Sequence, residues 1–442
     1  MSDPIKALTD AVRGRVIPRW DSDYNEARAV YNAMHDRKPR AVMQCVDSPD
    51  VMDAVTVGRA AGLEVAIRGG GHSVPGFGAV EDGLAIDLSK MKSVRLDPIK
   101  KVARVGGGAT WGDVDHATYP FGLAAPGGII STTGVGGLTL GGGLGYLTRA
   151  VGLSIDNLLS ADVVLADGRQ VTASDYQNED LFWALRGGGG NFGVVTSFEF
   201  QLHEVGDIVG GPLFYEVDDA AAVLQCYREF IAQAPEQLGC FFGWQIAPDL
   251  PFIPKDRVGG LFCVLVTCWN GPHEEAERLL KPLRDVAEVK AEQVDIMPFP
   301  ALQRALDGMV PKGTQHSWKA DFITELSDEA IAAHIEHGKK NSAHKLEHAP
   351  ASDQRCGSTG RRRRGGLQTS RQELRPGRCR NMVGRCRQQG QPQVGEGLLR
   401  RYSSPLGQRW GLRRLHVERR RSPRARQLWR QLRAACSREG DL

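Results

Sequence analysis

The chain has 442 residues, 41% of them hydrophobic and 24% charged, with a formal net charge of +4; this composition suits a soluble protein with room for two or three domains of roughly 100–200 residues each. No apolar run approaches the roughly 18 residues of a membrane helix, and MSDPIKALTD lacks the basic-then-apolar pattern of a secretory signal, so a cytoplasmic protein is expected. The charge divides sharply: residues 1–350 hold 32 Lys+Arg against 46 Asp+Glu, whereas residues 351–442 hold 24 Arg, no Lys and 6 Asp+Glu, so the two parts are read separately.

Arg40–Val46 reads as a strand. Asp47-Ser48-Pro49-Asp50 then opens a helix, with a capping residue, a proline in the first turn and an acid at the positive end. The helix should run to about Ala60 and stop at Gly62. Leu63–Arg68 is the next strand, completing a βαβ start, and it empties into RGGGHSVPGFG, Arg68 to Gly78. Further strands are expected at Leu84–Leu88 and Val102–Val105, and Thr110-Trp111-Gly112-Asp113 is a T-x-x-D helix start. A longer glycine tract, PGGIISTTGVGGLTLGGGLG, spans Pro126 to Gly145. Ala161–Ala166 and Arg169–Ala173 form a hairpin about a two-residue Asp167-Gly168 turn. Asp180–Leu185 reads as a helix stopped by Gly187–Gly190, and Gly193–Leu202 alternates as a strand. Beyond about Gly206, longer helical segments (Asp218–Gln233, Pro272–Val286, Ser327–His337) mix with strands such as Gly260–Cys268, the texture of a second, α+β domain. The five cysteines before residue 350 show no CxxC and no histidine at zinc spacing, and are expected to be reduced, mostly buried thiols.

Two glycine-rich loops beside strands point to a phosphate-bearing ligand, because backbone N–H groups approach an anion closely where no side chain intervenes. No G-x-x-x-x-G-K-[ST] is present, which argues against a P-loop nucleotidase, and there is no G-x-S-x-G nucleophile elbow. Gly188–Gly193 satisfies G-x-G-x-x-G, but a helix precedes it and a strand follows, the reverse of the dinucleotide-binding order.

RGGGHS, WGDVDHAT, GLTLGGGLGYLTRAVGLSIDNLLSADVVLADG and DLFWALRGGGGNFGVVTSFEF together resemble the FAD-linked oxidases whose flavin domain is of the p-cresol methylhydroxylase type, and within them the berberine-bridge-enzyme-like oxidoreductases. The resemblance is strong over about residues 30–205 and weaker to about 340, through MPFPALQRALDGMVPKGTQHSWK. It implies an α+β fold: a two-part FAD-binding domain over residues 1–205, then an α+β substrate domain, an antiparallel sheet with helices, over 206–345 and incomplete, and an Arg-rich disordered tail over 346–442. It implies a FAD-dependent oxidase that moves hydride from a substrate C–H or C–OH to flavin, with a small-molecule substrate and molecular oxygen as acceptor, and with no nucleic-acid or membrane partner.

The implied cofactor residues follow position by position. Arg68, Gly69, Gly70, Gly71, His72 and Ser73 would wrap the FAD diphosphate, with His72 matching the histidine that bonds covalently to the flavin 8α-methyl. A second tether found in some relatives needs a cysteine where Ile130 stands. Ser131, Thr132, Thr133, Gly134, Gly136 and Gly137 would touch ring and diphosphate, Gly142, Gly143 and Gly145 would let the backbone pass close by, and Asn191, Gly193 and Val195 would close over the adenine side. Taken singly, each glycine could equally be a plain turn and His72 a solvated loop histidine. Asp156, Asn157 and His116 read as structural. Trp318 and Lys319 match an aromatic-basic pair of relatives, but strand packing with an exposed lysine explains them as well. The catalytic base is expected from the far C-terminal part, and no residue of this chain is assigned to it.

Residues 351–442 contain no Phe, Ile or Lys and a single tyrosine, Tyr402, a composition that cannot build a core. Runs such as Arg361–Arg364 would suit a nucleic-acid-binding tail. A displaced reading frame beginning near residues 338–350 explains more. Read one base later with suitable synonymous codons, Trp410–Glu418 gives Gly-Ala-Tyr-Val-Asp-Phe-Met-Leu, Arg426–Arg433 gives Ala-Asn-Tyr-Gly-Gly-Asn-Tyr, and Ser352–Thr359 gives Ala-Ile-Asn-Gly-Ala-Val-Gln, peptides resembling those of the family in the right order. The coding DNA around codons 335–355 decides between these readings. A chain made as written is expected to fold poorly through exposed sheet edges and to turn over little, as a flavin-binding remnant of an oxidase.

Overall fold

The computed structural model describes residues 4–340. The expectations for residues 341–442, including the displaced frame, the basic tail and four of the nine cysteines, lie outside the described residues.

The local signals before residue 110 act as the sequence predicts. The side chain of Asp47 accepts the N–H of Asp50 at 3.1 Å and starts the helix Ser48–Ala60, with a proline in its first turn. Gly62, at φ +63°, lets the chain reverse after it. The strands around this helix are β1 (Arg15–Pro18), β2 (Ala41–Gln44), β3 (Val65–Arg68) and β4 (Leu84–Asp87), in the order β1-β2-β4-β3. Strands β2 and β3 both run parallel to β4. The βαβ start is therefore present with one difference: a later strand fills the place between its two strands. The buried Asp50 carboxylate accepts the N–H groups of Arg13, Gly14 and Val46, and these charge-assisted bonds offset its loss of water.

Next come β5 (Val94–Asp97), β6 (Val102–Gly106), β7 (Leu123–Ala124), β8 (Leu158–Val164), β9 (Gln170–Ser174), β10 (Val194–Gln201) and β11 (His203–Glu204). Five of them form an antiparallel sheet, β5-β6-β10-β8-β9, and β7 pairs with β11. Thr110 and Asp113 close a reciprocal capping box on the helix Trp111–Thr118. This helix and Glu179–Leu185 pack Trp111, Val114, Phe182 and Leu185 onto Phe198 and Phe200 of the sheet. The β8–β9 hairpin departs from the two-residue turn expected. Leu165 N–H bonds to Arg169 at 2.8 Å, so three residues, 166–168, make the loop, and Gly168 takes the left-handed position at φ +85°. The loop is a turn followed by a glycine bulge, which fits the twist of the strands.

The third sheet contains β12 (Asp207–Tyr215), β13 (Leu238–Ile246), β14 (Leu261–Trp269), β15 (Ala291–Glu292) and β16 (Asp295–Pro298). Its order is β13-β14-β12-β15, with β16 also on β12, and all its pairings are antiparallel. Strand β14 is buried on both faces, which is why it reads as an apolar run interrupted only by Thr267, whose hydroxyl donates to the Gly211 carbonyl. Cys263, Leu265 and Trp269 face the helices Ala220–Gln233, His273–Asp285 and Asp328–Lys339. Phe262, Val264, Val266 and Cys268 face Tyr146, Leu147, Phe299 and Leu302, so the glycine tract's C-terminal end packs against this sheet. Arg149 strengthens the same contact: its guanidinium donates to the carbonyls of Ile231, Ala234, Pro235 and Leu238, at the negative end of the helix Ala220–Gln233. The five cysteines among the described residues are free, three of them buried. Among the described residues no helix is long and apolar enough to cross a membrane.

One buried acid lies where the middle and third sheets' helices meet. Asp115 is 2% exposed, and among the described residues neither its carboxylate oxygens nor the amide of the buried Gln303, on the helix Phe299–Arg304, has a hydrogen-bond partner. Burial pushes the Asp115 carboxyl up to about 7, against the pull of Gln303 and Arg304. An unfolded aspartate titrates near ~3.9, so the folded protein holds the extra proton between those values. The stability this contributes is complete below about pH 4 and is lost as pH rises to about 7. Asp115→Asn is expected to flatten stability across that window and to gain up to about 4 kcal/mol above it. Unfolding of both proteins across pH 4–8 checks this; parallel curves for the two would refute it.

Candidate functional site

The first glycine loop carries the clearest chemical signal. Among the described residues, none of the five successive backbone N–H groups from Gly69 to Ser73 donates to another group of the protein. Five adjacent free donors cost stability unless water or an anion takes them. A cavity of about 360 Å³ lies against Gly69, Gly70 and Gly71 and is lined also by Tyr31, Gln44 and Lys312. The Arg68 side chain is not free to join an anion: it is buried and bonded to Asp87 at 2.8 Å. The Ser73 hydroxyl accepts from Phe77 N–H and caps its own turn.

The second tract meets the first at two glycines. A Cβ on Gly70 would lie 2.7 Å from the Gly134 Cα, and one on Gly134 would lie 2.8 Å from the Gly70 Cα. Gly69 in turn approaches the Gly107 carbonyl, and Gly107 packs against Val195 and Thr196 at the start of β10. The structure therefore brings together the 69–73 loop, the 131–134 segment and Val195. Gly107 links them, and no motif singled it out.

His72 sits inside this junction. Its Nε2 lies 3.0 Å from the Thr132 hydroxyl, and Tyr31 stacks on its ring at 3.7 Å between centroids. Burial drives the imidazole down to about 4, with His316 and Lys312 adding to the effect and Asp307 opposing it. His72 is therefore neutral near pH 7 and keeps a nucleophilic lone pair. Burial and Asp307 raise the Tyr31 phenol, opposed by a Thr132 hydrogen bond. Ser131 is already engaged: Asp307 accepts its N–H at 2.8 Å and its O–H at 2.5 Å. Tyr146, buried beside Phe241, has a hydroxyl with no hydrogen-bond partner among the described residues.

The other expected residues fall further from this centre. Thr133 turns its backbone to the start of the Trp111 helix. Gly136 packs beside the Phe198 ring, whereas a Cβ on Gly137 would meet nothing within 4 Å among the described residues. Gly142 and Gly143 adopt positive φ, and Gly145 passes against the Gly127 carbonyl; all three serve the tract's own close turns. Asn191 bonds to Gly188 within its own turn, and Gly193, at φ +145°, passes close to Val163. Asp156 and Asn157 bond to nearby backbone, and His116 is exposed. Trp318 and Lys319 are exposed and lie in no strand, so strand packing does not explain them. Tyr31, Asp307 and His316 were not singled out by sequence. Asp307 and His316 lie in the segment that carried the weaker family resemblance, and Tyr31 precedes every motif.

Residues 39–174 match the FAD binding domain family. The uncharacterized FAD-linked oxidoreductase YgaK of Bacillus subtilis is 33% identical over 348 residues, 76% of this chain and 72% of that protein. The crystal structure of 6-hydroxy-D-nicotine oxidase from Arthrobacter nicotinovorans aligns with a TM-score of 0.68 at 27% identity, covering 77% of this chain and 73% of that one. Glucooligosaccharide oxidase from Acremonium strictum, described as carrying a 6-S-cysteinyl, 8α-N1-histidyl FAD, aligns at 0.65 and 26% identity over 78% and 73% of the two chains.

Proposed function

Because the chain belongs to the FAD-linked oxidoreductases, we propose that it is an oxidase of a small molecule, with FAD bound covalently through His72 and molecular oxygen as the final acceptor. The observation that carries this reading is the neutral, half-buried His72, with Thr132 at 3.0 Å and Tyr31 stacked on its ring, standing next to five unclaimed backbone N–H groups. When bound, FAD supplies the two-electron acceptor for a hydride leaving a substrate C–H or C–OH. The protein's own part is binding and orientation. The N–H groups of Gly69–Ser73 hold the diphosphate, and Lys312, which lines the same cavity and makes no ion pair among the described residues, offsets its charge. Tyr31 and Thr132 fix the imidazole plane of His72. Residues 1–205 serve as the FAD-binding domain and 206–345 as the substrate domain of a cytoplasmic enzyme. The expected cofactor contacts from Ser131 to Gly145 and at Asn191, Gly193 and Val195 remain part of this proposal.

Purified protein supplied with FAD should become yellow and keep its flavin through acid precipitation. Oxygen uptake on a panel of cyclic amines, oligosaccharides and alcohols then reports turnover. A protein that stays colourless with excess FAD would sink the reading. Gly137 gives a sharper check on the cofactor contacts. It lies in the short helix Val135–Leu140, and alanine is the better helix former by ~1 kcal/mol. Gly137→Ala should leave the apoprotein as stable as before or slightly more so, since among the described residues nothing lies within 4 Å of the new methyl, yet weaken FAD binding at least about tenfold if the cofactor lies there as proposed. Unchanged affinity by fluorescence titration would remove Gly137 from the site.

A further inference from the structure

His72 is held by two neighbours, and one distant segment secures both. At one end of residues 307–316, Asp307 takes both donors of Ser131, next to the Thr132 that meets His72. At the other end the segment pairs with residues 31–33. Gly313 N–H donates to Tyr31 at 3.0 Å and Ala33 N–H to Thr314 at 2.9 Å. Asn32, 1% exposed, exchanges two bonds with the His316 backbone, at 2.9 and 3.0 Å. The Tyr31 ring thus lies between His72 at 3.7 Å and His316 at 5.6 Å.

We propose that Asp307 is a positioning residue for flavin attachment, acting through Ser131 and Thr132 to hold His72 in the orientation that bonds the flavin. This inference rests on the covalent-flavin reading above. Attachment exchanges one C–H bond of the flavin 8α-methyl and the imidazole N–H for a C–N bond, and dioxygen leaves as hydrogen peroxide. The nitrogen must approach the methyl along one line, so a small loss of orientation costs rate heavily. Asp307 supplies that orientation from outside the loop. Ser131 has its N–H and O–H both tied to one carboxylate, which fixes the backbone from which the Thr132 hydroxyl reaches the imidazole. The carbonyls of Ser131 and Thr133 accept the N–H groups of Gly112 and Trp111, so the carbonyl side of the segment is anchored to the helix start, and Asp307 secures the donor side at Ser131.

The test uses the full chain as apoprotein, mixed with FAD in air, and follows acid-precipitable flavin with time. Asp307→Asn keeps the shape and removes the charge and one acceptor. It should slow attachment about tenfold or more while non-covalent FAD affinity, read by fluorescence, changes less than about threefold. Thr132→Val should slow attachment similarly. The double variant should be no slower than the slower single, because both changes break one relay. A merely structural role for Asp307 would give losses that multiply, and that result, or attachment at the wild-type rate in Asp307→Asn, overturns the inference while leaving the covalent reading intact. Wild-type protein that attaches no flavin overturns both.

Discussion

His72→Ala is expected to release all its flavin on acid denaturation, whereas the unsubstituted protein keeps its flavin with the precipitate. The effect should be all-or-none, because among the described residues no other side chain of this junction sets a neutral imidazole nitrogen beside the free N–H row. The neighbouring imidazole, His316, is buried, and its Nε2 meets the Thr314 hydroxyl at 2.7 Å. Non-covalent binding should persist in His72→Ala, since the five N–H donors and Lys312 are untouched. The variant also tests the electrostatics. The His72 imidazole stays neutral down to about pH 4, while an unfolded histidine protonates near ~6.5. The folded state therefore loses stability as pH falls from about 6.5 to about 4, and His72→Ala should remove that part of the acid sensitivity. Flavin that remains with the denatured variant would place the attachment elsewhere.

Gly70→Val is expected to abolish FAD binding and to destabilise the fold by about 3 kcal/mol or more. Gly70 and Gly134 meet backbone to backbone, so neither side offers a flexible side chain that can yield. A branched side chain must push the two loops apart or break the helix start at Val135, a backbone collision of the class that gives the largest single-site losses. Moving the loops also separates Thr132 from His72. Gly122 is the control: its φ is +63°, but among the described residues a Cβ there meets nothing within 4 Å, so Gly122→Ala should cost only about 1 kcal/mol in strain and leave flavin binding unchanged. Thermal unfolding and FAD titration of the two variants separate the outcomes. Normal FAD affinity in Gly70→Val would show that the loops need not touch.

Several elements followed from short stretches of sequence. Asp47, Pro49 and Gly62 start and stop one helix, and Thr110 with Asp113 starts another, because capping acts over three or four residues. The apolar stretch Gly260–Cys268 was also legible as a strand, and the structure buries it on both faces. The same local reading missed by one residue at Asp167-Gly168, since an Asp-Gly pair suits both a two-residue turn and the glycine bulge formed here. It missed β4 entering between β2 and β3, because strand order depends on partners far along the chain.

The candidate site divides in the same way. Glycine spacing marked both loops, because freedom from Cβ atoms and a row of N–H groups are properties of consecutive residues; His72 was singled out only by the family resemblance. Which loops meet was a matter of packing. Gly107 joins Gly69 to Val195, and Tyr31 and Asp307 secure His72 and Ser131 from 41 and 176 residues away along the chain. Contacts at such separations leave no periodic or local mark, because their energy is gained only when the sheets assemble and their loop-closure cost has been met. The amino-acid order was enough to identify a flavin-binding family and to nominate a histidine for it; the folded chain supplied the downward shift of that histidine and the two neighbours that hold it, through partial burial and long-range contact.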